Sequence, residues 1–124
     1  MCFACGKENS NGLGLKIRVE KEQAFTTFTP TAIHEGPKGL VHGGVIATVL
    51  DETMVNILWS QGKDAVTVEL KVRFKQPVKI GESLNIVARR KKEYHKVMEM
   101  EAIATTINGE IMANGNGKFL LRKY

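Results

Sequence analysis

The sequence predicts an α+β fold in which an antiparallel sheet of five to six strands wraps around one long central helix. One segment, residues 43–60, is long and periodic enough to be a helix. Segments in which apolar and polar residues alternate lie on both sides of it, separated by residues typical of turns. The predicted order is two strands, one helix and four strands.

The chain begins with two predicted strands, residues 13–20 and 23–29, in which apolar and polar residues roughly alternate. Residues 21–22 form the turn between them, and Pro30 ends the second strand. Residues 31–41 have no periodicity and contain two glycines and a proline, so we expect a loop leading into the helix.

The predicted helix spans residues 43–60, and Gly62 follows it at a position where helices often end in glycine. Its apolar residues cover nearly the whole circumference. They are Val45, Ile46, Ala47, Val49, Leu50, Met54, Val55, Ile57, Leu58 and Trp59. A helix that is apolar on most sides is expected to be enclosed by other structure.

Residues 65–75 alternate almost without interruption and predict a long, half-buried strand. One face carries Val66, Val68, Leu70, Val72 and Phe74, and the other carries Thr67, Glu69, Lys71, Arg73 and Lys75. By this alternation Thr67 belongs to the charged face.

Three further strands are predicted at residues 83–92, 97–107 and 111–122. Asn108 and Gly109 separate the last two and indicate a hairpin with a type I′ turn, which needs positive φ at both central residues. This hairpin favours an antiparallel sheet.

The length and composition are those of an ordinary soluble protein, so residues 1–124 are expected to form a single domain. No secretory signal and no apolar run of about 20 residues is found, which predicts a cytoplasmic protein that does not enter a membrane. A net charge of +5 favours anionic partners. Nucleic acid is not an expected partner, because no recognisable nucleic-acid-binding motif is present.

The first candidate for chemistry is the start of the helix, where His42 precedes Gly43 and Gly44. The first amides of a helix have no acceptor within the helix, and glycines leave them uncovered by side chains. Together with the helix dipole, such amides can bind a carbonyl oxygen or an oxyanion. The alternative is that the two glycines only allow a tight join between loop and helix.

The second candidate is Asp51, which at 100° per residue lies on the same side of the helix as several small or apolar residues. These residues are Gly44, Ala47, Val55 and Leu58. An acid on such a face costs stability unless it is paired or functional, so Asp51 is a candidate general base or nucleophile. The alternative is a buried structural Asp.

The spacing of Gly43 and Asp51 bears on assembly. Eight residues along a helix correspond to about 12 Å, whereas groups acting on one carbonyl lie about 3 Å from it. If both groups act on one substrate, Gly43 must therefore come from one subunit and Asp51 from another, as a two-fold dimer would provide.

Several short motifs follow one another in a set order along the chain. One motif is His42-Gly43-Gly44, which is followed after six residues by Asp51. The others are Cys2-Phe3-Ala4-Cys5-Gly6, Asn11-Gly12-Leu13-Gly14-Leu15, Val66-Thr67-Val68-Glu69-Leu70, Pro77 and Gly81. This order resembles hotdog-fold thioesterases, in particular those of the phenylacetyl-CoA thioesterase type, over essentially the whole chain.

The resemblance implies a hotdog fold and the hydrolysis of acyl-coenzyme A thioesters without a metal or other cofactor. It implies that the Gly43 amide polarises the thioester carbonyl, and that Asp51 of the facing subunit activates water or attacks directly. Thr67 matches the family's Ser or Thr that positions the water. The implied assembly is a homodimer or homotetramer.

The resemblance also suggests further site residues. Gly44 is expected beside the substrate, and His42 is expected to orient the loop by hydrogen bonding. Some relatives use an Asn before the motif to hold the carbonyl; this chain has Gly36 there, which leaves His34 as a possible donor. Met54 and Trp59 are candidates to line the acyl pocket, although core packing would explain them equally well.

Two clusters remain. Cys2 and Cys5 form one C-x-x-C, which is half of a zinc site, and we expect reduced structural thiols and no metal. Arg89, Arg90 and Lys91 belong to a basic run that can meet the phosphates of coenzyme A. The alternative is a solvated end of a strand.

Two other functions remain open at this point. One is a non-catalytic acyl-CoA binding or sensing protein, and the other is a hydratase or dehydratase on the same fold, since one fold hosts many activities.

Overall fold

The protein is described by a computed structural model covering residues 12–122. The elements follow one another as β1 (Arg18–Glu20), β2 (Gln23–Phe28), a short 3-10 helix (Ala32–His34), α1 (Gly43–Ser60), β3 (Ala65–Phe74), β4 (Leu84–Tyr94), β5 (Val97–Thr106) and β6 (Ile111–Leu121). The strands form one six-stranded antiparallel sheet in the order β1-β2-β4-β5-β6-β3. The predicted architecture of one long helix and an antiparallel sheet is confirmed.

Helix α1 has the bounds that the sequence predicts. Its C-terminus is set by Gly62, which has a φ of 75°, while the amide of Lys63 returns to the carbonyl of Leu58. A glycine adopts this left-handed conformation without the cost that a Cβ imposes. The helix contacts all six strands, which explains why so much of its circumference is apolar.

The core lies between α1 and the face of the sheet that packs against it. Its largest fully buried side chains include Leu50, Met54, Ile57, Leu58, Leu84, Ile86, Met98, Met100 and Phe119. Two glycines of β6 allow the helix to approach closely. A Cβ on Gly115 would lie 3.3 Å from Leu50 Cδ1, and one on Gly117 would lie 2.7 Å from the Phe119 ring and 3.2 Å from Met54 Cε.

Two local predictions were wrong. Strand β1 begins only at Arg18, although the alternating pattern starts at residue 13. The hairpin between β5 and β6 is not a type I′ turn, because only Gly109 has positive φ (86°), and Asn108 does not. Instead Thr106 and Glu110 close a three-residue loop, a longer connection in which a single left-handed residue suffices.

No helix within residues 12–122 is both long enough and apolar enough to cross a bilayer. Within the same residues, no cluster of three or more His, Cys, Asp or Glu side chains could hold a metal ion. Cys2 and Cys5 lie outside the described residues, so the prediction made for them stays a prediction.

Candidate active site

The N-terminus of α1 presents one unpaired backbone amide. His42 is the N-cap residue, and its Nδ1 accepts a hydrogen bond of 2.8 Å from the Gly44 amide. The amides of Val45 and Ile46 turn to the His42 carbonyl oxygen, at 3.0 and 3.4 Å. Within residues 12–122 no hydrogen bond is donated by the Gly43 amide. The His42 cap therefore accepts from the Gly44 amide and leaves the Gly43 amide available to donate to a ligand.

An aromatic ring borders this free amide. A Cβ on Gly43 would lie 3.3 Å from Cζ of Phe74, the last residue of β3. Gly43 and Phe74 also line one cleft of about 420 Å³. The rest of its wall comes mainly from the loop before α1 and the connection after β3. We call Gly43 and Phe74 the amide end of the site.

Asp51 lies in the middle of α1, half-buried, and Thr67 Oγ1 donates a 2.7 Å hydrogen bond to its Oδ1. Burial raises the pKa of the Asp51 carboxyl above its ordinary value, and the Thr67 hydrogen bond partly offsets this rise. Burial has this effect because desolvation disfavours the charged form, whereas a donated hydrogen bond favours it. We call Asp51 and Thr67 the carboxylate end of the site.

A β-bulge turns Thr67 toward the helix. Thr67 is paired with Phe119, but Glu69 is paired with the next residue back, Lys118, so that Val68 is the extra residue. Paired residues share a face of the sheet, and Phe119 is fully buried beneath α1. The sequence alternation placed Thr67 on the charged face, and this prediction was wrong because one extra residue reverses the alternation at that point.

The two ends of the site do not meet within one chain. Gly43 and Asp51 are eight residues apart in α1, which is about 12 Å along the helix axis. Thr67 and Phe74 are seven residues apart in β3, which is about 20 Å along the strand. Each end is well formed, yet a single carbonyl cannot touch both in the same subunit.

Comparison with known proteins identifies the family. A sequence profile of the thioesterase superfamily matches residues 38–113, more than half of the chain. The chain belongs to the thioesterase superfamily. The resemblance inferred from the sequence motifs is thus confirmed.

Individual members of the superfamily agree with this assignment. Human acyl-coenzyme A thioesterase THEM5 is 27% identical over 101 residues, which cover 81% of this chain and 41% of that protein. Mouse acyl-coenzyme A thioesterase 13 is 30% identical over 86 residues, or 66% of this chain and 61% of that protein. The chain thus spans less than two thirds of the length of either relative.

A solved structure shows the fold. The E. coli PaaI protein from the phenylacetic acid degradation operon superposes with a TM-score of 0.83 at 22% identity, over 90% of this chain and 81% of that protein. With the sheet order and the central helix described above, this similarity confirms the hotdog fold.

Other residues that the superfamily resemblance suggested lie elsewhere. Met54 has 0% exposure and packs in the core, so it has no surface to offer an acyl group. Trp59 donates its indole N–H to the carbonyl of Ala65 at 3.1 Å and thereby joins the end of α1 to the start of β3.

His34 is close to the motif but faces another way. Its carbonyl accepts the His42 amide at 2.8 Å, whereas its ring packs against Phe28 with centroids 5.1 Å apart. Burial lowers the pKa of the His34 imidazole, and Nδ1 accepts a 2.9 Å hydrogen bond from the Thr31 amide. The ring does not line the cleft beside Gly43.

The predicted phosphate-binding residues of β4 are engaged with protein groups. Arg89 pairs with Glu101, and Arg90 pairs with both Glu22 and Glu93. Lys91 contacts the Asn116 side chain at 3.4 Å. The structure brings none of these three cations to the amide end or the carboxylate end.

Phe74 is the site residue that sequence reasoning missed. In the sequence it simply continues the apolar face of a strand, and no motif distinguishes it from Leu70 or Val72. Its position next to Gly43 depends on how β3 crosses α1, which a one-dimensional pattern does not contain.

Proposed function

We propose that this protein hydrolyses acyl-coenzyme A thioesters to a free acid and coenzyme A, as a homodimer with two equivalent active sites. In each site the Gly43 amide of one subunit polarises the carbonyl, and Asp51 of the other subunit drives the attack. One observation carries the proposal: an amide at the start of α1 without an acceptor among residues 12–122, and a half-buried carboxylate in the middle of α1, lie beside opposite ends of β3.

Similar proteins support the choice of substrate. The relatives from human and mouse are named acyl-coenzyme A thioesterases. A Streptococcus pneumoniae hypothetical thioesterase, solved with coenzyme A, has the same fold with a TM-score of 0.81 at 17% identity, over 87% of this chain and 85% of that protein.

The edge of the sheet favours pairing of two subunits. Strand β3 is ten residues long, bonds to β6 on one side and is the last strand in the sheet order. Val68 is 56% exposed along it. A long edge strand with exposed apolar residues is a template for pairing with another strand, and a second copy of β3 would complete it.

Antiparallel pairing of β3 with its copy would bring the two ends of the site together. A two-fold axis near Lys71 exchanges the strand ends and places Thr67 alongside Phe74 of the partner subunit. In a regular strand, residues seven apart such as Thr67 and Phe74 would lie on opposite faces. The extra residue of the bulge places both on the same face. The carboxylate end of one subunit then faces the amide end of the other.

The carboxylate end favours attack by water. The Thr67 hydroxyl donates to Asp51 and keeps lone pairs with which to accept from a water molecule. That water loses a proton to Asp51 as its oxygen bonds to the carbonyl carbon, while the Gly43 amide stabilises the oxyanion. When the C–S bond breaks, the proton passes from Asp51 to the departing sulfur, which yields the acid and the thiol.

Subunit complementation tests the proposal. Asp51→Asn removes the base, and Gly43→Pro removes the amide, and each homodimer should release thiol from acyl-CoA at least about 100-fold more slowly than the wild type. In a refolded equal mixture, half of the dimers are mixed and each contains one intact site. Activity should therefore recover to about a quarter of the wild-type value.

In the matched control, Asp51→Asn is mixed with the double variant Gly43→Pro/Asp51→Asn in place of Gly43→Pro. Neither chain then supplies Asp51, so no dimer contains an intact site and the mixture should stay inactive. Absence of recovery in the first mixture, with mixed dimers confirmed by two affinity tags, would refute the shared site. A wild-type protein that binds acyl-CoA without releasing thiol would refute hydrolysis and favour a sensor.

A further inference from the structure

The cleft at the amide end is lined mainly by apolar side chains. They are Leu40, Val41, Ile46, Phe74, Pro77 and Val78. Its volume of about 420 Å³ falls in the range of small-molecule pockets, about 300–1,000 Å³. Lys75 and Gln76 also border it. The cleft thus offers apolar contact to a ligand bound at the Gly43 amide.

Phe74 is placed to gain from a ligand there. Its side chain is 52% exposed, although its ring lies against the backbone of Gly43. Covering an exposed aromatic ring with apolar atoms is favourable, because it removes apolar surface from water. The missing Cβ of Gly43 allows the approach, because a Cβ there would lie 3.3 Å from the ring.

The geometry of a thioester indicates which part of it would enter the cleft. A carbonyl oxygen held by the Gly43 amide, at about 3 Å, places both substituents of its carbonyl carbon close to Phe74. One substituent is the sulfur of the pantetheine arm, whose amides need hydrogen-bond partners when buried. The other is the acyl chain, which needs none. The apolar wall suits the acyl chain.

We propose that Phe74 determines acyl specificity, as the wall of a cleft that takes uncharged, apolar acyl groups. This inference rests on the proposed hydrolysis and names its substrate class. Acyl groups that end in a carboxylate are disfavoured, because burying a charge against apolar side chains is costly. Very short acyl groups gain little, because they do not reach beyond the ring.

The experiment compares kcat/KM for hexanoyl-, acetyl- and succinyl-CoA in the wild type and in Phe74→Ala and Phe74→Leu. The wild type should prefer hexanoyl-CoA to both others. Phe74→Ala should lower the ratio of hexanoyl to acetyl turnover by about tenfold, and Phe74→Leu by less, since differences of this size follow from small changes in apolar pockets. Val87→Ala is the control, because Val87 is 39% exposed on β4, which β5 and β6 separate from β3 in the sheet.

Binding separates this inference from the proposed hydrolysis. Dethia analogues of hexanoyl-CoA and acetyl-CoA, in which a CH2 group replaces the thioester sulfur, keep the carbonyl oxygen and cannot be hydrolysed. Calorimetry should show tighter binding of the hexanoyl analogue, with the difference reduced in Phe74→Ala. That result would support the cleft even if the wild type releases no thiol. Unchanged ratios of turnover and of binding in folded, dimeric Phe74→Ala and Phe74→Leu would overturn the inference, as would a preference for succinyl-CoA.

Discussion

The two ends of β3 differ in almost every property that matters for chemistry. At the carboxylate end, Asp51 and Thr67 form a hydrogen-bonded pair whose carboxyl group is partly withdrawn from water. At the amide end, Gly43 and Phe74 offer an N–H that has no hydrogen-bond acceptor among residues 12–122, beside a mainly apolar cleft. One end can activate a nucleophile, and the other can hold an electrophile.

The comparison teaches that each end lacks what the other supplies. A base without a bound carbonyl has no substrate to act on, and a bound carbonyl without a base meets only unactivated water. Because about 12 Å of helix separates Gly43 from Asp51, the two ends can serve one reaction only if two subunits share them, as proposed above. The following changes act on one end at a time.

The largest effect in this series is expected at the amide end. Gly43→Pro deletes the N–H, and the backbone tolerates it, because proline is favoured at the first helical position and His42 has the extended conformation that precedes proline (φ −62°, ψ 130°). We expect kcat to fall by about 10²–10³-fold, the usual loss for one oxyanion donor. Thiol release from acyl-CoA measures it.

Gly43→Ala is the control for this change, since it adds the same Cβ near Phe74 but keeps the N–H. Its kcat should stay well above that of Gly43→Pro. Equal losses in the two variants would mean that crowding of the ring, and not the amide, explains the effect.

A smaller effect is expected from Thr67→Val at the carboxylate end. This change removes the hydroxyl that donates to Asp51 and that, in the proposed mechanism, accepts from the attacking water, so we expect kcat to fall by about tenfold, in line with a lost hydrogen bond to a charged group. The hydrogen bond lowers the pKa of Asp51, so its loss should move the acidic limb of the pH-kcat profile to higher pH. Thr67→Ser should restore both properties. A profile that does not move would separate Thr67 from the base.

The smallest effect concerns stability. Burial raises the pKa of Asp51 in the folded state above its value in the unfolded chain. The folded protein therefore binds the Asp51 proton more tightly than the unfolded chain does. This difference adds to the free energy of unfolding. The contribution is complete below the pKa of Asp51 in the unfolded chain and is lost as pH rises through its pKa in the folded protein. Relative to the wild type, Asp51→Asn should therefore gain stability across that interval and show no further gain above it.

Urea unfolding at a series of pH values measures this difference. A gain of Asp51→Asn over the wild type that shrinks as pH rises would contradict the direction of the pKa shift. Thr67→Val removes the hydrogen bond that lowers the pKa of Asp51, so this pKa should rise further in the folded protein. In the same series, the loss of stability should therefore extend to higher pH in this variant.

Most of the fold could be predicted because its signals are local. Helix α1 was predicted with its observed bounds, since Gly43 and Gly62 mark its ends and the intervening segment is apolar on most sides of a helix. Five of the strands were predicted to within two residues at each end, whereas β1 was predicted too long. An alternating pattern indicates which segments can form strands, but hydrogen-bond partners decide where pairing begins, and residues 13–17 are not paired.

The sequence by itself determined the helix, the six strands and the two chemical groups that matter, a glycine amide and an acid among apolar residues. The tertiary structure alone decided that a bulge turns Thr67 to Asp51 and that Phe74 lies beside Gly43. The physical reason is range: periodicity and helix signals act between near neighbours in the chain, whereas a bulge or a contact between β3 and α1 is set by partners far away in sequence.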